Sequence, residues 1–339
     1  MKVGIVGYAG CGKSTVFRWL TGVTPDPAKV SQQGQIGVAK IPDPRLDWLA
    51  EQFNPKKTTY ATLEFLDTPG LMPDERRDNP RRLGILRESG GLLVVLDGFS
   101  GADVAKQLAN FRQEIIFADL EIVTNRIGRL EDQIKKPRPP KEKELQLTEL
   151  ELLTRIVAHY EADRPASELK LTADEEKLIR SFQLLTLKPE FVLVNAGEET
   201  LKKDYRGLAP QVLNASPKLE MELAELSEED RALFMSDLGL TEFRREEALR
   251  SISAAMGQIV FFTVGEDECR AWPMPAGGDA VVGASQIHTD LGKRFVRAEV
   301  VSYADFRRVG SMKEAKAQGV HRLEGKNYIV QDGDIMHIL

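Results

Sequence analysis

The first 117 residues alternate between short apolar runs and polar, glycine-rich turns. Three runs predict strands, Val3–Val6, Thr62–Leu66 and Leu92–Leu96, and the last is apolar throughout, as in a parallel strand buried on both faces. The segment Ser14–Leu20 predicts a helix after the first strand. Because strands and helices alternate, we expect a doubly wound α/β sheet whose ligands bind beyond the carboxyl ends of the strands.

The pattern changes near residue 103, where apolar positions begin to recur at spacings of three and four. Two such seams follow one another: Leu120, Val123, Ile127, Leu130 and Ile134, then Leu147, Leu150, Leu153, Val157 and Tyr160. The proline-rich segment Pro137–Pro140 separates them and must break the helix. Narrow apolar stripes with charged opposite faces favour an antiparallel helical hairpin over two amphipathic helices lying on the sheet.

The α/β pattern resumes with two predicted strands, Phe191–Val194 and Gln211–Leu213, followed by helices near 228–238 and 241–256. From about residue 259 come short alternating strands and one helix near 303–317, which predict a small separate α+β domain. The hairpin therefore looks like an insertion within the first domain.

The chain has 339 residues, a net charge of −6, two cysteines and four scattered histidines. Its length predicts two or three domains, and its charge gives no overall signature of nucleic-acid binding. The two cysteines exclude a disulfide scaffold, and the scattered histidines disfavour a zinc site. Since no apolar run approaches the roughly 20 residues of a membrane span and no signal peptide is visible, we expect a cytoplasmic protein without a membrane partner.

The segment Gly7–Thr15 matches G-x-x-x-x-G-K-[ST], the phosphate-binding loop, between a predicted strand and a predicted helix. Backbone N–H groups of such a loop surround a phosphate, and the helix amino terminus adds partial positive charge. The nucleotide-binding candidates in this loop are Gly10, Cys11, Gly12, Lys13, Ser14 and Thr15. Lys13 is also a catalytic candidate that neutralises phosphate, and Ser14 is a ligand for Mg²⁺ (magnesium). The alternative is a glycine-rich turn that merely precedes a helix.

A second motif, Asp67-Thr68-Pro69-Gly70, ends the second predicted strand and matches D-x-x-G. In GTPase-type NTPases the aspartate holds Mg²⁺ through water and the glycine N–H senses the γ-phosphate. Asp67 is therefore a metal candidate, and Gly70 is a catalytic candidate.

Base recognition in such proteins usually comes from N-K-x-D at a later strand end, whereas this chain has Asn195-Ala196-Gly197-Glu198. The longer Glu198 side chain shifts the carboxylate, so selectivity for guanine should weaken. Asn195 and Glu198 are base-binding candidates, and Ser216 after the next strand is a further nucleotide-binding candidate. The alternative is a surface turn that contains Asn and Glu.

With these motifs, the sequence resembles the YchF family, the Obg-like ATPases among the translation-factor-related NTPases. The resemblance covers nearly the whole chain and is also carried by Pro42–Asp47, Leu187–Pro189, Leu223–Leu226, Arg270–Trp272, Ile287–Asp290, Arg297–Val300 and Gly325–Asp334. It implies an α/β P-loop NTPase G domain with an inserted antiparallel helical coiled-coil hairpin and a C-terminal ubiquitin-like β-grasp (TGS) domain. It also implies a preference for ATP over GTP and association with ribosomes. The expected boundaries are 1–117 and 186–258 for the G domain, 118–185 for the insertion and 259–339 for the TGS-like domain.

Several positions depart from the GTPase or family pattern. Gly10 stands where the family has an asparagine, and Ser31 stands where switch I has a Mg²⁺-binding threonine, so Ser31 is a third metal candidate. The glycine-rich switch II is replaced by residues 73–82. Leu71 follows Gly70, as in the family, and cannot orient a water molecule by hydrogen bonding. Nucleotide binding stays credible, and slow hydrolysis is expected.

Two further features have functional and ordinary interpretations. Cys11 lies in an anion-binding loop at a helix amino terminus, which would lower the pKa of its thiol and favour redox sensitivity, although a small tolerated residue is the commoner case. Basic residues cluster at the hairpin tip (Lys135, Lys136, Arg138, Lys141 and Lys143) and after switch II (Arg76, Arg77, Arg81, Arg82 and Arg87). The tip is the better candidate for contact with rRNA, although such clusters are usually solvated faces.

The sequence therefore predicts an enzyme that binds ATP, or GTP, with Mg²⁺ and hydrolyses it slowly as a ribosome-associated regulatory NTPase. One alternative is a nucleotide-sensing scaffold with little or no hydrolysis. The other is a P-loop small-molecule kinase, in which the arginine-rich segment 76–87 would supply a lid.

Overall fold

The computed structural model describes residues 1–73 and 78–339, so Arg76 and Arg77 lie outside the described residues. The chain divides into two compact units. The N-terminal unit comprises Met1–Gly37 and Phe65–Glu242, and the C-terminal unit comprises Val38–Glu64 and Phe243–Leu339. The sequence pattern assigns residues 38–64 to the G domain, whereas in the structure they group with the C-terminal residues.

The strands are β1 (Lys2–Val6), β2 (Gln35–Lys40), β3 (Lys57–Thr59), β4 (Thr62–Asp67), β5 (Gly91–Gly98), β6 (Glu190–Ala196), β7 (Val212–Ala215), β8 (Gln258–Thr263), β9 (Glu268–Pro275), β10 (Ala298–Ser302), β11 (Arg322–Glu324) and β12 (Asp334–Ile338). The helices are α1 (Lys13–Thr21), α2 (Pro27–Gln33), α3 (Pro44–Phe53), α4 (Asn79–Gly84), α5 (Val104–Ile134), α6 (Pro140–Glu161), α7 (Ala173–Ile179), α8 (Pro217–Ala224), α9 (Glu228–Leu238), α10 (Arg245–Ala255), α11 (Ala280–Ile287), α12 (Thr289–Lys293), α13 (Tyr303–Val309) and α14 (Met312–Ala317).

The first sheet has the strand order β2-β4-β1-β5-β6-β7. The pairs β1–β5, β5–β6 and β6–β7 are parallel, and the register aligns Asp97 with Asn195 and Asn195 with Ala215. The carboxyl ends of these strands therefore lie side by side. Residues such as Val94 and Val192 are fully buried in this sheet, as expected for parallel strands covered on both faces.

The two long helices α5 and α6 form the antiparallel hairpin that the sequence predicts. Val123 and Leu130 of α5 share a buried core with Leu153 and Ile156 of α6. Arg126 adds a bidentate bond to Glu149 across the pair, with both N–O distances 2.7 Å. The second predicted seam is only partly correct, because Leu147 is exposed and the neighbouring polar contact between Gln146 and Gln133 occupies the interior instead.

The second sheet has the order β11-β10-β12-β8-β9-β3. Strands β8 and β9 form an antiparallel hairpin, β12 runs parallel to β8, and β10 is antiparallel to β12. Helix α11 buries Ala280 and Ala284 in a core shared with Phe261 and Met274. This connectivity is the β-grasp arrangement. The helix predicted over 303–317 is two helices, because Gly310 at φ 80° ends α13 and Ser311 caps α14.

Segment Val38–Glu64 contributes α3 and β3 to the C-terminal unit. The Asp43 side chain caps α3, which begins with Pro44 in the first turn, a position where proline suits a helix. Trp48 of this helix makes edge contacts with Tyr303 and Phe306 at centroid distances of 5.7 and 6.1 Å. These aromatic contacts and the parallel pairing of β3 with β9 explain why the segment groups with the C-terminal residues.

Candidate nucleotide-binding site

The loop between β1 and α1 has a backbone that requires glycine. Gly10 and Gly12 have φ values of 84° and 90°, in the left-handed region. A Cβ on Gly12 would lie 2.1 Å from Nδ2 of Asn195, whereas a Cβ on Gly10 would meet nothing within 4 Å. Gly12 precedes α1 without a side-chain cap, so the first N–H groups of the helix remain available for an anion.

The polar side chains that follow in α1 converge on the end of β4. The Lys13 ammonium is buried and donates to the Tyr8 carbonyl at 3.0 Å. The Ser14 hydroxyl donates to Oδ2 of Asp67 at 2.9 Å. Thr15 is half-buried on the same turn. The loop and the D-x-x-G motif thus meet through Ser14 and Asp67, as their positions in the sequence predict.

Asp67 is an incompletely satisfied carboxylate in the interior. It is 0% exposed, and its Oδ1 has no hydrogen-bond partner among the described residues. Burial raises the pKa of Asp67, against the lowering effects of the Ser14 hydrogen bond and the Lys13 charge. A hydroxyl beside a carboxylate with a spare oxygen is a donor set that suits a hard oxygen-preferring cation such as Mg²⁺.

The segment after Asp67 lies along the phosphate loop. Ala9 N donates to the Leu71 carbonyl at 2.9 Å, and Leu71 N donates to the Gly7 carbonyl at 3.0 Å. A Cβ on Gly70 would lie 2.7 Å from Cα of Ala9, so only glycine permits this approach. The Leu71 side chain is 1% exposed within the core. The side chain packs in the core, so Leu71→Ala would lower the unfolding free energy by about 2–5 kcal/mol, in addition to any effect on the rate of hydrolysis.

The candidates from β6 and β7 occupy the same edge of the sheet. The Asn195 amide donates to the Cys11 carbonyl at 2.9 Å and is thereby fixed to the phosphate loop, although the sequence predicts that it faces the base. Glu198 is exposed at the start of a short 3-10 helix, and Ser216 is buried at the start of α8.

Phe99 was not among the sequence candidates. It is 46% exposed beside this edge, and its ring lies 3.9 Å from where a Cβ on Gly12 would stand. An aromatic residue two positions after Asp97, at a strand's carboxyl end, is the signal that could have identified it.

Comparisons with known proteins match two parts of the chain to family models. Residues 2–126 match a family model described as a 50S ribosome-binding GTPase, and residues 258–339 match the YchF GTPase C-terminal model, described as a protein of unknown function. The chain is 34% identical over 360 residues to the ribosome-binding ATPase YchF of Haemophilus ducreyi, covering 99% of this chain and 98% of that protein. The chain belongs to the YchF family.

Two further relatives support this membership over full length. Proteins of the same name from Escherichia coli O157:H7 and Bacillus subtilis are 32% and 31% identical, covering 100% and 99% of this chain and 98% of each relative. The solved structure of the Schizosaccharomyces pombe YchF GTPase matches with a TM-score of 0.82 at 24% identity, covering 100% of this chain and 97% of that one. This match shows the same fold.

Two predictions from the sequence concern positions at which this chain departs from the pattern of the YchF family. Ser31 lies on the exposed helix α2, and its hydroxyl donates to the Ala28 carbonyl at 3.0 Å, so it is engaged within its own helix and its role as a metal ligand stays a prediction. The expectation of a lowered thiol pKa at Cys11 is wrong. Burial raises the pKa of Cys11, and the nearby Lys13 charge lowers it by less.

None of the helices in the described part of the chain is both long and apolar enough to cross a membrane.

Proposed function

We propose that the protein is a Mg²⁺-dependent nucleoside triphosphatase that binds ATP at least as tightly as GTP and works on the ribosome. The observation that carries the proposal is the meeting of Ser14 with the buried, partly unsatisfied Asp67 beside the glycine-dependent phosphate loop. Membership of the YchF family, whose relatives are named ribosome-binding ATPases, supports the partner.

In this proposal each residue of the loop has a definite task. Lys13 turns from the Tyr8 carbonyl to the β- and γ-phosphates and neutralises their charge. Ser14 and Asp67 hold the Mg²⁺ ion, which when bound neutralises phosphate charge in the transition state. The backbone N–H of Gly70 senses the γ-phosphate, and the close packing of this glycine on Ala9 fixes where that N–H lies.

Recognition of the base rests on the edge formed by β5 and β6. Asn195 holds the Cys11 carbonyl and so joins the base-binding turn to the phosphate loop. The exposed Glu198 carboxylate is available to accept from an exocyclic amino group, and the exposed Phe99 ring offers a face for stacking. Since Ala196 and Glu198 replace the lysine and aspartate of N-K-x-D, guanine has no special advantage.

Hydrolysis should be slow, because the residue after Gly70 is the buried Leu71, which cannot orient water. This observation also favours the second candidate, a nucleotide-sensing scaffold that binds without turnover. The kinase alternative gains no support from Arg87, the last arginine of the proposed lid segment, because its guanidinium pairs with the buried Asp119 at 2.7 Å. A ribosomal partner would place the protein in the cytoplasm.

The decisive experiment compares ATP and GTP affinity by titration with fluorescent analogues, in Mg²⁺ and in a chelator. We expect ATP to bind at least as tightly as GTP, binding to weaken without Mg²⁺, and Lys13→Ala to lose binding or turnover. Clearly tighter GTP binding would contradict the assignment of residues 195–198. A single-turnover assay then separates slow hydrolysis from none, and co-sedimentation with ribosomes tests the partner.

A further inference from the structure

Asn79 makes an unusual set of contacts behind the nucleotide site. It is 0% exposed at the start of α4. Its Oδ1 accepts from Met72 N at 3.1 Å, and its Nδ2 donates to the Met72 carbonyl, also at 3.1 Å. A carboxamide presents a donor and an acceptor side by side in this way without needing to be protonated. The Asn79 side chain therefore holds the Met72 backbone as a neighbouring strand would.

The same amide also reaches the inserted hairpin. Asn79 Nδ2 donates to Oε2 of Glu114 at 3.0 Å, in a buried contact. Glu114 is 7% exposed on α5, the helix that continues to the hairpin tip. From Glu114 to Ile134 this helix rises about 30 Å, so a small rotation at its root moves the tip by several ångströms.

The contacts of Asn79 also lead back to the phosphate loop, through Met72. Met72 directly follows Leu71, whose backbone pairs with Gly7 and Ala9 at 3.0 and 2.9 Å. Asn79 therefore lies between the segment proposed to sense the γ-phosphate and the root of the hairpin, and each step between them is a hydrogen bond or a peptide bond.

We propose that the contact between Asn79 and Glu114 couples the phosphate state of the bound nucleotide to the helical hairpin. The inference rests on the proposed nucleotide site. When the γ-phosphate shifts residues 70–72, Asn79 must follow because two bonds tie it to Met72. Loss of the hydrogen bond from Asn79 would cost free energy at the buried Glu114 carboxylate, so α5 moves with Asn79. Asn79 is thus a positioning residue, and Glu114 receives its displacement.

Hydrogen exchange of α5 tests the coupling without needing a ribosome. In the unmodified protein, amide exchange rates over residues 104–134 should differ at least about fivefold between the complex with a non-hydrolysable ATP analogue and the complex with ADP. Asn79→Asp removes the donor toward Met72 and Glu114 at constant size, and Glu114→Ala removes the acceptor. Both variants should lose most of the ATP–ADP difference while keeping nucleotide affinity within about threefold.

Matched variants separate coupling from general damage. Glu114→Gln keeps an oxygen that accepts from Asn79, so it should retain the ATP–ADP difference. In the double variant Asn79→Asp with Glu114→Gln, the carboxamide introduced on α5 can donate to the carboxylate introduced on α4, which should partly restore the difference. Glu121→Ala, which removes an exposed carboxylate from the same helix, should change nothing.

Two results would overturn the proposal: no ATP–ADP difference in the unmodified protein, or a full difference in folded Glu114→Ala. If Asn79→Asp does not fold, the comparison of Glu114→Ala with Glu114→Gln still decides. Failure of the nucleotide site itself would show separately, as absent binding in the titration that precedes the exchange measurement.

Discussion

At the scale of single residues, Gly10 and Gly12 of the phosphate loop share a left-handed backbone and differ in what surrounds them. Both would force a side chain into a backbone region that costs about 1–2 kcal/mol. Only at Gly12 does a Cβ also collide with a neighbour, the Asn195 amide that holds Cys11. Position 12 therefore requires glycine for two reasons, the left-handed backbone and the space that the Asn195 amide occupies.

We predict that Gly10→Ala lowers nucleotide affinity about tenfold, as expected for backbone strain alone, and that Gly12→Ala lowers it by about a hundredfold or more. Titration of both variants with the same fluorescent nucleotide measures the difference, with the thermal unfolding midpoint as a check on folding. Equal losses would mean that the contact between Gly12 and Asn195 does not shape the bound state.

The two cysteines are buried, and burial raises the pKa of each thiol above its ordinary value of 9.0. A thiol with a raised pKa stays protonated, and therefore unreactive, until the pH exceeds that ordinary value. We predict that a disulfide reagent at about pH 7.5, below the ordinary thiol pKa, leaves native protein almost unlabelled and modifies both thiols in guanidinium. If one thiol were labelled rapidly and bound nucleotide suppressed that labelling, the redox interpretation of Cys11 would be restored.

The phosphate-loop and D-x-x-G motifs predict which residues lie together, because their spacing encodes a local backbone shape, while the roles of these residues stay predictions. Lys13, Ser14 and Asp67 lie together as their motifs predict. The role of Asn195 was less visible, because its contact with Cys11 joins residues 184 positions apart. The loop sequence predicts the wrong direction for the pKa of Cys11 for the same reason, since burial depends on elements that the loop sequence does not contain.

At the scale of elements, Asp119 joins the root of the hairpin to the segment that follows it. This buried carboxylate accepts from Arg87 at 2.7 Å and from the backbone of Leu185 and Thr186 at 3.1 and 2.8 Å. Tyr160 of α6 extends the network through the Thr186 hydroxyl at 2.8 Å. Both hairpin helices are thereby bonded to the segment that follows the hairpin in the chain.

Loss of this carboxylate should be severe. Asp119→Ala leaves the Arg87 guanidinium, 14% exposed, without its only carboxylate partner among the described residues, so we predict a loss of about 3–5 kcal/mol in unfolding free energy. Asp132→Ala, which removes an exposed ion pair with Lys135 on the same helix, should stay within about 0.5 kcal/mol. Urea denaturation of both variants gives the comparison, and similar midpoints would show that the Asp119 network is not what holds the hairpin.

Periodicity predicted the strands and the hairpin because apolar spacing directly reports a buried face. It failed at Leu147, where polar contacts between the helices displace the apolar seam. It was silent on α3, whose partners Tyr303 and Phe306 lie more than two hundred positions away in the sequence. Local patterns thus give the type of an element, whereas its partners depend on long-range packing.

At the scale of the molecule, the chain crosses between its two units at three points: after Gly37, after Glu64 and after Glu242. Two of these crossings flank a segment that begins shortly after Ser31 and ends shortly before Asp67. No sequence boundary signals this arrangement, since the segment continues the α/β pattern. Ser31 and Asp67, which are proposed to respond to nucleotide, therefore each lie within a few residues of a point where the chain crosses into the C-terminal unit.

The hairpin tip carries the five basic residues proposed to contact rRNA, and all five are exposed. Lys135 and Arg138 are paired with Asp132 and Glu142. Among the described residues, Lys136, Lys141 and Lys143 form no ion pair, so they have the most charge to offer a phosphate. Acidic neighbours reduce the net charge of the tip, so its contribution to binding should be moderate.

Reversal of those three lysines to glutamate should therefore weaken ribosome co-sedimentation and lower the slope of log affinity against log salt by about 2–3, since each phosphate contact releases about 0.9 counterion. Nucleotide affinity should not change, because the tip lies at the far end of α5 from the phosphate loop. The matched control reverses Lys106, Lys170 and Lys202, which are also exposed in the same unit. If both triple variants sediment as the unmodified protein does, at every salt concentration, the tip serves only to keep the hairpin soluble.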